Sequence, residues 1–458
     1  DVSINVIQET QRYLGYDLPN KTLQKDEFNN LLQKNYTETD RSEKSQISDQ
    51  ALNDDRVNFD ELSSILEEPD DLLNSDDDAP IIKLLNAILF EAIREKVSDI
   101  HIEPYSKELV IRFRLDGVLK SSLTSQVKIA PFLVTRIKVL ARLDIAEKRV
   151  PQDGRLSVKL GGKEVDLRVS TMPSVYGERV VLRLLDKEDT SLDLVKLGMN
   201  EDNIQKIETL INKPHGIILV TGPTGSGKTT TLYACLRKLD RSSQNIMTIE
   251  DPIEYYFDGI SQTQVNTKAN MSFARGLRAI LRQDPDVVLV GEIRDTETAK
   301  ISVQASLTGH LVLSTLHTNT AIGAITRLRD MDIEPFLLAS TVQAVMSQRL
   351  IRRLCNNCKK GYKPTSYEKK LLKLKPSEKL YKAVGCAKCY DTGYSKRKAV
   401  YEIILIDDKL REMINTNKNE SEMADYAHKN SISIVESGYD MARAGDTDLA
   451  EVIRVVQE

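Results

Sequence analysis

One segment of this sequence leaves little choice of fold. The short apolar run Ile217-Ile218-Leu219-Val220 leads directly into Gly222-Pro223-Thr224-Gly225-Ser226-Gly227-Lys228-Thr229, and Thr230-Thr231-Leu232-Tyr233-Ala234 continues with helical character. A strand, a glycine-rich turn and a helix in that order build one unit of a parallel sheet. The turn fits GxxxxGK[ST] without deviation. Its glycines let backbone N–H groups converge on phosphate oxygens, and the helix start adds the positive end of its dipole. Lys228 is expected to reach the β- and γ-phosphates and Thr229 to hold Mg²⁺. Gly222 through Thr230 are therefore the expected ATP-binding residues. An ordinary glycine-rich turn is the competing reading, and it has no need of the strand before it or the helix after it.

From residue 198 to about 352 the chain alternates helices with short apolar runs, at 216–221, 245–250, 287–291 and 310–314. Runs of this kind belong to a parallel sheet covered on both faces. Hydrolysis needs carboxylates as well as a phosphate loop. The run that starts after Asp286 ends at Gly291-Glu292, so Glu292 is expected at the sheet edge that faces the phosphates, polarising the attacking water or holding Mg²⁺ through water. Glu250, Asp251 and Glu254 follow another apolar run and are expected at the same edge; a polar turn shaped by Pro252 is the alternative. His310 and His317 flank a third run. A single strand-end histidine is more often structural, yet the shared edge favours His317 as a γ-phosphate sensor. His310 is left without a role.

A chain of 458 residues needs several cores. Residues 1–65 form an expected partner-binding region with helical periodicity and few apolar anchors at 35–55, and 66–79 an acidic linker. At Pro80 an apolar helical stripe begins. Beyond it, 109–119 alternates apolar with charged residues and carries an Asp116-Gly117 turn. A helix is expected over 132–143, and strands over 155–160, 165–170 and 178–185, giving an α+β domain over 80–195. The formal net charge of −4 argues against general nucleic-acid binding. No apolar run reaches the roughly 18 residues that span a bilayer. The chain starts at Asp1 with no basic-then-apolar leader, and the expected compartment is the cytoplasm.

Four of the five cysteines fall in two CxxC pairs, Cys355/Cys358 and Cys386/Cys389. Four thiolates so spaced can close a tetrahedron around Zn²⁺ with no open position, which makes the expected metal structural. This tetracysteine module is placed at 353–400, with a helical C-terminal region at 401–458. Cys235 reads as a small buried filler. Lys359, Lys360, Lys363, Lys388, Lys396, Arg397 and Lys398 make the module basic. Such a face suits a membrane platform or acidic phospholipid headgroups, and a solvated surface equally well.

Several segments together resemble one family, the traffic ATPases of type II secretion systems and type IV pilus assembly. Ile249-Glu250-Asp251-Pro252-Ile253-Glu254 looks like its acidic box. Residues 284–295, with the Arg294-Asp295 pair, look like its Walker B segment, and 309–319 like its histidine box. The likeness reaches back through 97–103, 149–155 and 177–183. The wording at 275–286 and 304–310 is most similar to the type II secretion branch. The resemblance implies a multi-domain α/β protein: a small helical N-terminal domain, an α+β (PAS-like) domain, a RecA-like P-loop ATPase domain, the zinc module and a helical C-terminal region. It implies a homohexamer with nucleotide bound between the α+β and P-loop domains, and Arg168 and Arg183 supplying positive charge to the γ-phosphate. Arg155 and Arg179 are further candidates, and periodicity alone reads each of the four as a wet-face strand residue paired with an acid. Arg275, Arg278 and Arg282 share a helical face suited to the site or a subunit contact. The implied partners are the cytoplasmic domain of an inner-membrane secretion anchor, reached through the N-terminal region, and an inner-membrane platform protein, with the chain peripheral to that membrane. The implied work is pseudopilus assembly. One departure stands out: after Gly393-Tyr394 the sequence runs Ser395-Lys396-Arg397-Lys398, without two glycines usual there. A type IV pilus assembly ATPase, a P-loop nucleic-acid translocase and a small-molecule kinase remain as alternatives.

Overall fold

The computed structural model describes residues 79–160, 163–185 and 192–456. The expected N-terminal region and all but the last residue of the acidic linker lie outside them. The chain divides into two compact units between Asp186 and Lys187.

The described part of the first unit starts with a helix over Ala79–Arg94, Pro80 sitting in its first turn where a missing N–H costs nothing. Six strands follow: β1 (Asp99–Pro104), β2 (Glu108–Leu115), β3 (Val118–Gln126), β4 (Gln152–Leu160), β5 (Lys163–Ser174) and β6 (Gly177–Leu185). They form one sheet in the order β3-β2-β1-β6-β5-β4, antiparallel throughout. The β2–β3 turn is Asp116-Gly117, both residues at positive φ as a tight hairpin requires. Leu84, Leu85 and Ile88 of the first helix, and Leu133 and Ile137 of the helix Ala130–Leu140, pack with Ile100, Ile102, Ile111, Leu167 and Leu182. The helix expected over 132–143 thus stands two to three residues earlier. Periodicity did not separate β1. All six of its residues are buried, the polar Asp99, His101 and Glu103 among them.

The second unit is built on a seven-stranded sheet. Its strands are β7 (Gly216–Thr221), β8 (Ile246–Glu250), β9 (Ser261–Gln264), β10 (Val287–Val290), β11 (Leu311–Leu316), β12 (Val342–Leu354) and, after the short pair β13 (Lys360–Tyr362) and β14 (Leu380–Lys382), β15 (Tyr394–Leu405). The order is β15-β12-β7-β11-β10-β8-β9. Every neighbour pairs parallel except β12 with β15. The alternation along β7 explains why its sequence is apolar throughout. Ile217 and Leu219 enter one core with Val288, Val290 and Val312; Ile218 and Val220 enter the other with Leu232, Val287 and Leu289. Burying each such side chain is worth about 1.5–3 kcal/mol. The α/β architecture expected from the sequence is present. The expected limits at 352/353 and 400/401 each fall inside a strand of this sheet, β12 and β15, so the cysteine module is an excursion between two paired strands.

Candidate active site

Four parallel strands end at one edge of the sheet, and each is followed at once by expected site residues. β7 runs into Gly222, β8 into Asp251, β10 into Gly291-Glu292 and β11 into His317. The phosphate loop needs its glycines: Gly222, Gly225 and Gly227 have φ of 145°, 78° and 85°, values that L side chains adopt rarely. Gly227 caps the helix Lys228–Lys238 in the left-handed conformation. Pro223, Thr224, Gly225 and Thr229 are exposed, whereas Ser226 and Lys228 are buried. The Lys228 ammonium donates to Gly222 O at 2.8 Å and Pro223 O at 3.1 Å. Burial pushes this amine down to about 8; the Arg349 charge adds to the effect and Glu292 opposes it.

Glu292 is placed by backbone anchors on both sides: Gly291 N donates to Ile249 O at 2.8 Å, and Ile293 N to Thr315 O at 3.0 Å. Its carboxylate meets Arg294 at 2.5 Å and His317 Nε2 at 3.4 Å. Burial, then the Lys228 charge, lowers the His317 pKa, with Glu292 pulling the other way. Asp251, exposed, acts electrostatically on Arg294. Glu254 is exposed in the same turn. Glu250 is enclosed instead: it accepts from the Tyr233 hydroxyl, from Thr248 Oγ1 at 2.5 Å and from Gln262 Nε2 at 3.2 Å. The structure thus gathers Lys228, Glu292, His317 and Asp251, and holds Glu250 inside the fold beneath them. His310 sits at the far end of β11, its Nδ1 2.9 Å from Ala305 O; six strand residues separate it from His317 by about 20 Å. Asp295 caps the helix Thr296–Leu307 by accepting from Thr298 N at 2.8 Å. Of the three arginines expected on one helical face, Arg275 and Arg278 lie on the helix Phe273–Ile280, whereas Arg282 falls in the turn after it. Arg278 pairs with Glu297 at 2.6 Å, while Arg275 and Arg282 bond to backbone carbonyls.

Two residues at this edge have no signature in the sequence. Gln348 and Arg349 lie on β12 and contact the phosphate loop and the loop after His317. They stand more than a hundred residues from Ser226 in the chain, so only the sheet order reveals them.

Within the first unit the strand register sets Arg155 opposite Arg168, Arg168 opposite Arg183, and Arg183 opposite Asp99. Directly opposed residues share a face, so three arginines form a row across β4, β5 and β6. Arg183 Nε donates to Asp99 at 2.8 Å, and Arg114 stands 3.5 Å from the other Asp99 oxygen. Burial works to raise the Asp99 pKa, and the bonds from Arg183 and Ser98 and the Arg114 charge outweigh it, leaving a lowered value. Glu103 holds Arg112 at 2.6 Å and Arg179 at 2.5 Å.

The four module cysteines converge. Sγ separations are 4.0 Å for Cys355–Cys386, 3.8 Å for Cys358–Cys389 and 3.7 Å for Cys386–Cys389, and all four ligand atoms lie within 4.8 Å of one another. A tetrahedron with metal–sulfur bonds of about 2.3 Å has edges of about 3.8 Å. Gly393 N and Cys386 N each donate to Cys389 Sγ at 3.2 Å, the support a thiolate ligand needs. The cluster has the dimensions to hold a metal ion. Cys235 is buried apart from it, its thiol pushed up to about 12 by burial.

The family model described as "Type II/IV secretion system protein" matches residues 74–454. The chain belongs to the type II/IV secretion system protein family. The Type II secretion system ATPase E of Vibrio cholerae is 54% identical over all of this chain and 91% of its own length. The type II secretion system protein E of Pseudomonas aeruginosa stands at the same identity and coverage. Among solved structures, the pilus retraction motor PilT with bound ADP is 28% identical with a TM-score of 0.54, over 80% of this chain and 95% of that one. The Legionella pneumophila ATPase DotB has a TM-score of 0.59 over 81% of this chain and 94% of its own, at 20% identity, and shows the fold alone. This secretion ATPase hydrolyses ATP, which implies a nucleotide and its usual Mg²⁺. No helix among the described residues is long and apolar enough to cross a membrane.

Proposed function

We propose that this secretion ATPase is a homohexameric motor at the cytoplasmic face of a bacterial inner membrane, powering type II protein secretion by driving pseudopilus assembly. One observation carries the catalytic part: a phosphate loop, Glu292 and His317 share the edge where the parallel strands of one sheet end. In this reading Gly222, Pro223, Thr224, Gly225, Ser226, Gly227 and Thr230 cradle the phosphates. The buried Ser226 hydroxyl, with no partner among the described residues, suits that task. Lys228 exchanges its carbonyl partners for the β- and γ-phosphates. When bound, Mg²⁺ neutralises phosphate charge, and Thr229 is the residue to hold it. Glu292 orients the attacking water and takes its proton, while His317 senses the γ-phosphate. Asp251 and Glu254 line the edge, and Glu250 positions their turn through Tyr233.

Arg168 and Arg183 supply positive charge to the γ-phosphate. The row they form with Arg155 supports this, since three guanidinium groups on one face of the sheet gather positive charge. Cys355, Cys358, Cys386 and Cys389 hold a structural zinc ion, which cross-links the two CxxC turns. The N-terminal region meets the cytoplasmic domain of the inner-membrane anchor. The basic module faces the platform protein or acidic phospholipid.

The test is ATP turnover of the full chain with Lys228→Ala beside the parent. A loss of at least about 100-fold is expected with the fold intact, and retained turnover would overturn the site.

A further inference from the structure

Strand β12 outruns its neighbour. Its last parallel pairing with β7 is Ser347 opposite Thr221, the residue before the phosphate loop begins. Gln348 and Arg349 follow beside that loop, their backbones still held on the other side by β15 through Tyr401 and Val400. Successive strand residues point to opposite faces, so one short stretch of backbone can grip two different loops.

It does so with buried polar groups. Gln348, 2% exposed, donates from Nε2 to Ser226 O at 2.8 Å and accepts from Thr231 Oγ1 at 2.9 Å. One carboxamide thereby ties the crest of the phosphate loop to the first turn of the helix that follows. Arg349, 6% exposed, donates from Nη2 to Asn319 O at 2.7 Å, two residues beyond His317, and from Nη1 to Gln348 O at 3.1 Å. The loop glycines make room for this strand. A Cβ on Gly222 would meet Gln348 O at 2.5 Å and one on Gly227 would meet Gln348 Nε2 at 2.9 Å. Two glycines of the motif are thus required by the approach of β12 as well as by phosphate.

We propose that Gln348 and Arg349 are positioning residues of the ATPase reaction, the first fixing the phosphate loop and the second fixing the loop that carries His317 against it. The proposal rests on the roles given above to Lys228 and His317. It assigns the two side chains separable effects. Gln348 shapes the cradle that binds nucleotide in both ground and transition states, so its loss weakens binding. Arg349 sets the distance between the phosphate loop and the His317 loop, so its loss slows turnover at saturating nucleotide.

The experiment is steady-state ATP hydrolysis by the full assembled chain, with the thermal unfolding of each variant measured alongside. Gln348→Ala is expected to raise KM roughly tenfold with kcat within about threefold of the parent. Gln348→Glu keeps the acceptor for Thr231 and sets an oxygen against Ser226 O, so it should show the same KM defect. Arg349→Gln is expected to lower kcat roughly tenfold or more with KM within about threefold, and Arg349→Lys to recover part of that loss. Should Arg349→Gln unfold, Arg349→Lys decides on its own: a folded lysine variant must still show a kcat defect. Folded variants with both constants within about twofold of the parent would overturn the proposal. So would equal losses in kcat and KM effects across all four. Lys228→Ala, run in parallel, separates the failures. If it retains turnover, the site itself is wrong; if it is dead while the β12 variants behave as the parent, only the positioning role fails.

Discussion

Glu292 sits on a strand end that hydroxyl side chains hold in place. Ser314 Oγ donates to Val290 O at 2.7 Å and Thr315 Oγ1 to Gly291 O at 2.8 Å, so the backbone on the near side of the glutamate cannot drift. The carboxylate itself lies between Arg294 and His317. A general base acts through its charge and its lone pairs, so the isosteric amide keeps the shape and loses the chemistry. Glu292→Gln should therefore lower ATP turnover by at least about 100-fold while nucleotide affinity stays within a few-fold. Phosphate release and fluorescent-nucleotide titration on one preparation check both halves, and a variant with more than a tenth of parental turnover would remove Glu292 from the role of base. At this scale the sequence was highly legible wherever chemistry is compressed into a short motif, as at Gly222–Thr230 and around Glu292 and His317. Glu250 shows the limit. An acid after an apolar strand reads as a site residue, and only the Tyr233, Thr248 and Gln262 contacts reveal its enclosure.

Strand β12 links the phosphate loop to the C-terminal helices. Its middle grips the phosphate loop, and its C-terminal end passes Arg352 to the C-terminal helix Leu449–Val456, where the fully buried Glu451 carboxylate accepts from Arg352 Nη2 at 2.8 Å and Arg454 Nη2 at 2.7 Å. The Arg352 guanidinium also lies 3.9 Å over the Tyr394 ring at the start of β15, so one ion pair joins three elements. Burial alone would raise the Glu451 pKa, but Arg454 and Arg352 outweigh it and the net shift is downward. A carboxylate depressed in the folded state stabilises above its ordinary pKa and loses that contribution as pH falls through the folded value. Glu451→Gln should therefore cost about 2–4 kcal/mol near neutral pH, and the gap to the parent should close as pH drops below about 4. Denaturant midpoints at several pH values measure it, and a gap that does not change with pH would contradict the assignment. The parallel strands β7, β8, β10 and β11 were readable because burial on both faces makes them continuous apolar runs. β1 was not, because its Asp99, His101 and Glu103 are buried by arginines from β2 and β6, an arrangement that only tertiary pairing can supply. β12 and β15 were hidden for a related reason: they pair across the whole cysteine module.

At the scale of the molecule, that module hangs from two strands of the ATPase sheet, with Leu354 N donating to Asp446 O and Cys355 N to Gly393 O at its base. Leu372 and Leu380 of the module pack with Ile351, Val400 and Leu449, and a metal on the four cysteines would tie its two CxxC turns together. Cys386→Ser should lower bound zinc from about one ion per chain towards none, and equal zinc in variant and parent by elemental analysis would exclude four-cysteine coordination. The cysteine spacing made this cluster plain in the sequence, whereas its insertion between paired strands depended on long-range register. The role proposed for the phosphate loop at the end of β7 is to drive hydrolysis in a secretion motor. Phosphate release by the assembled full chain, compared with Lys228→Ala at equal protein and saturating Mg·ATP, tests it most directly. A variant that unfolds at the parental temperature yet turns over at least about 100-fold more slowly is the predicted result; a variant as fast as the parent would contradict it.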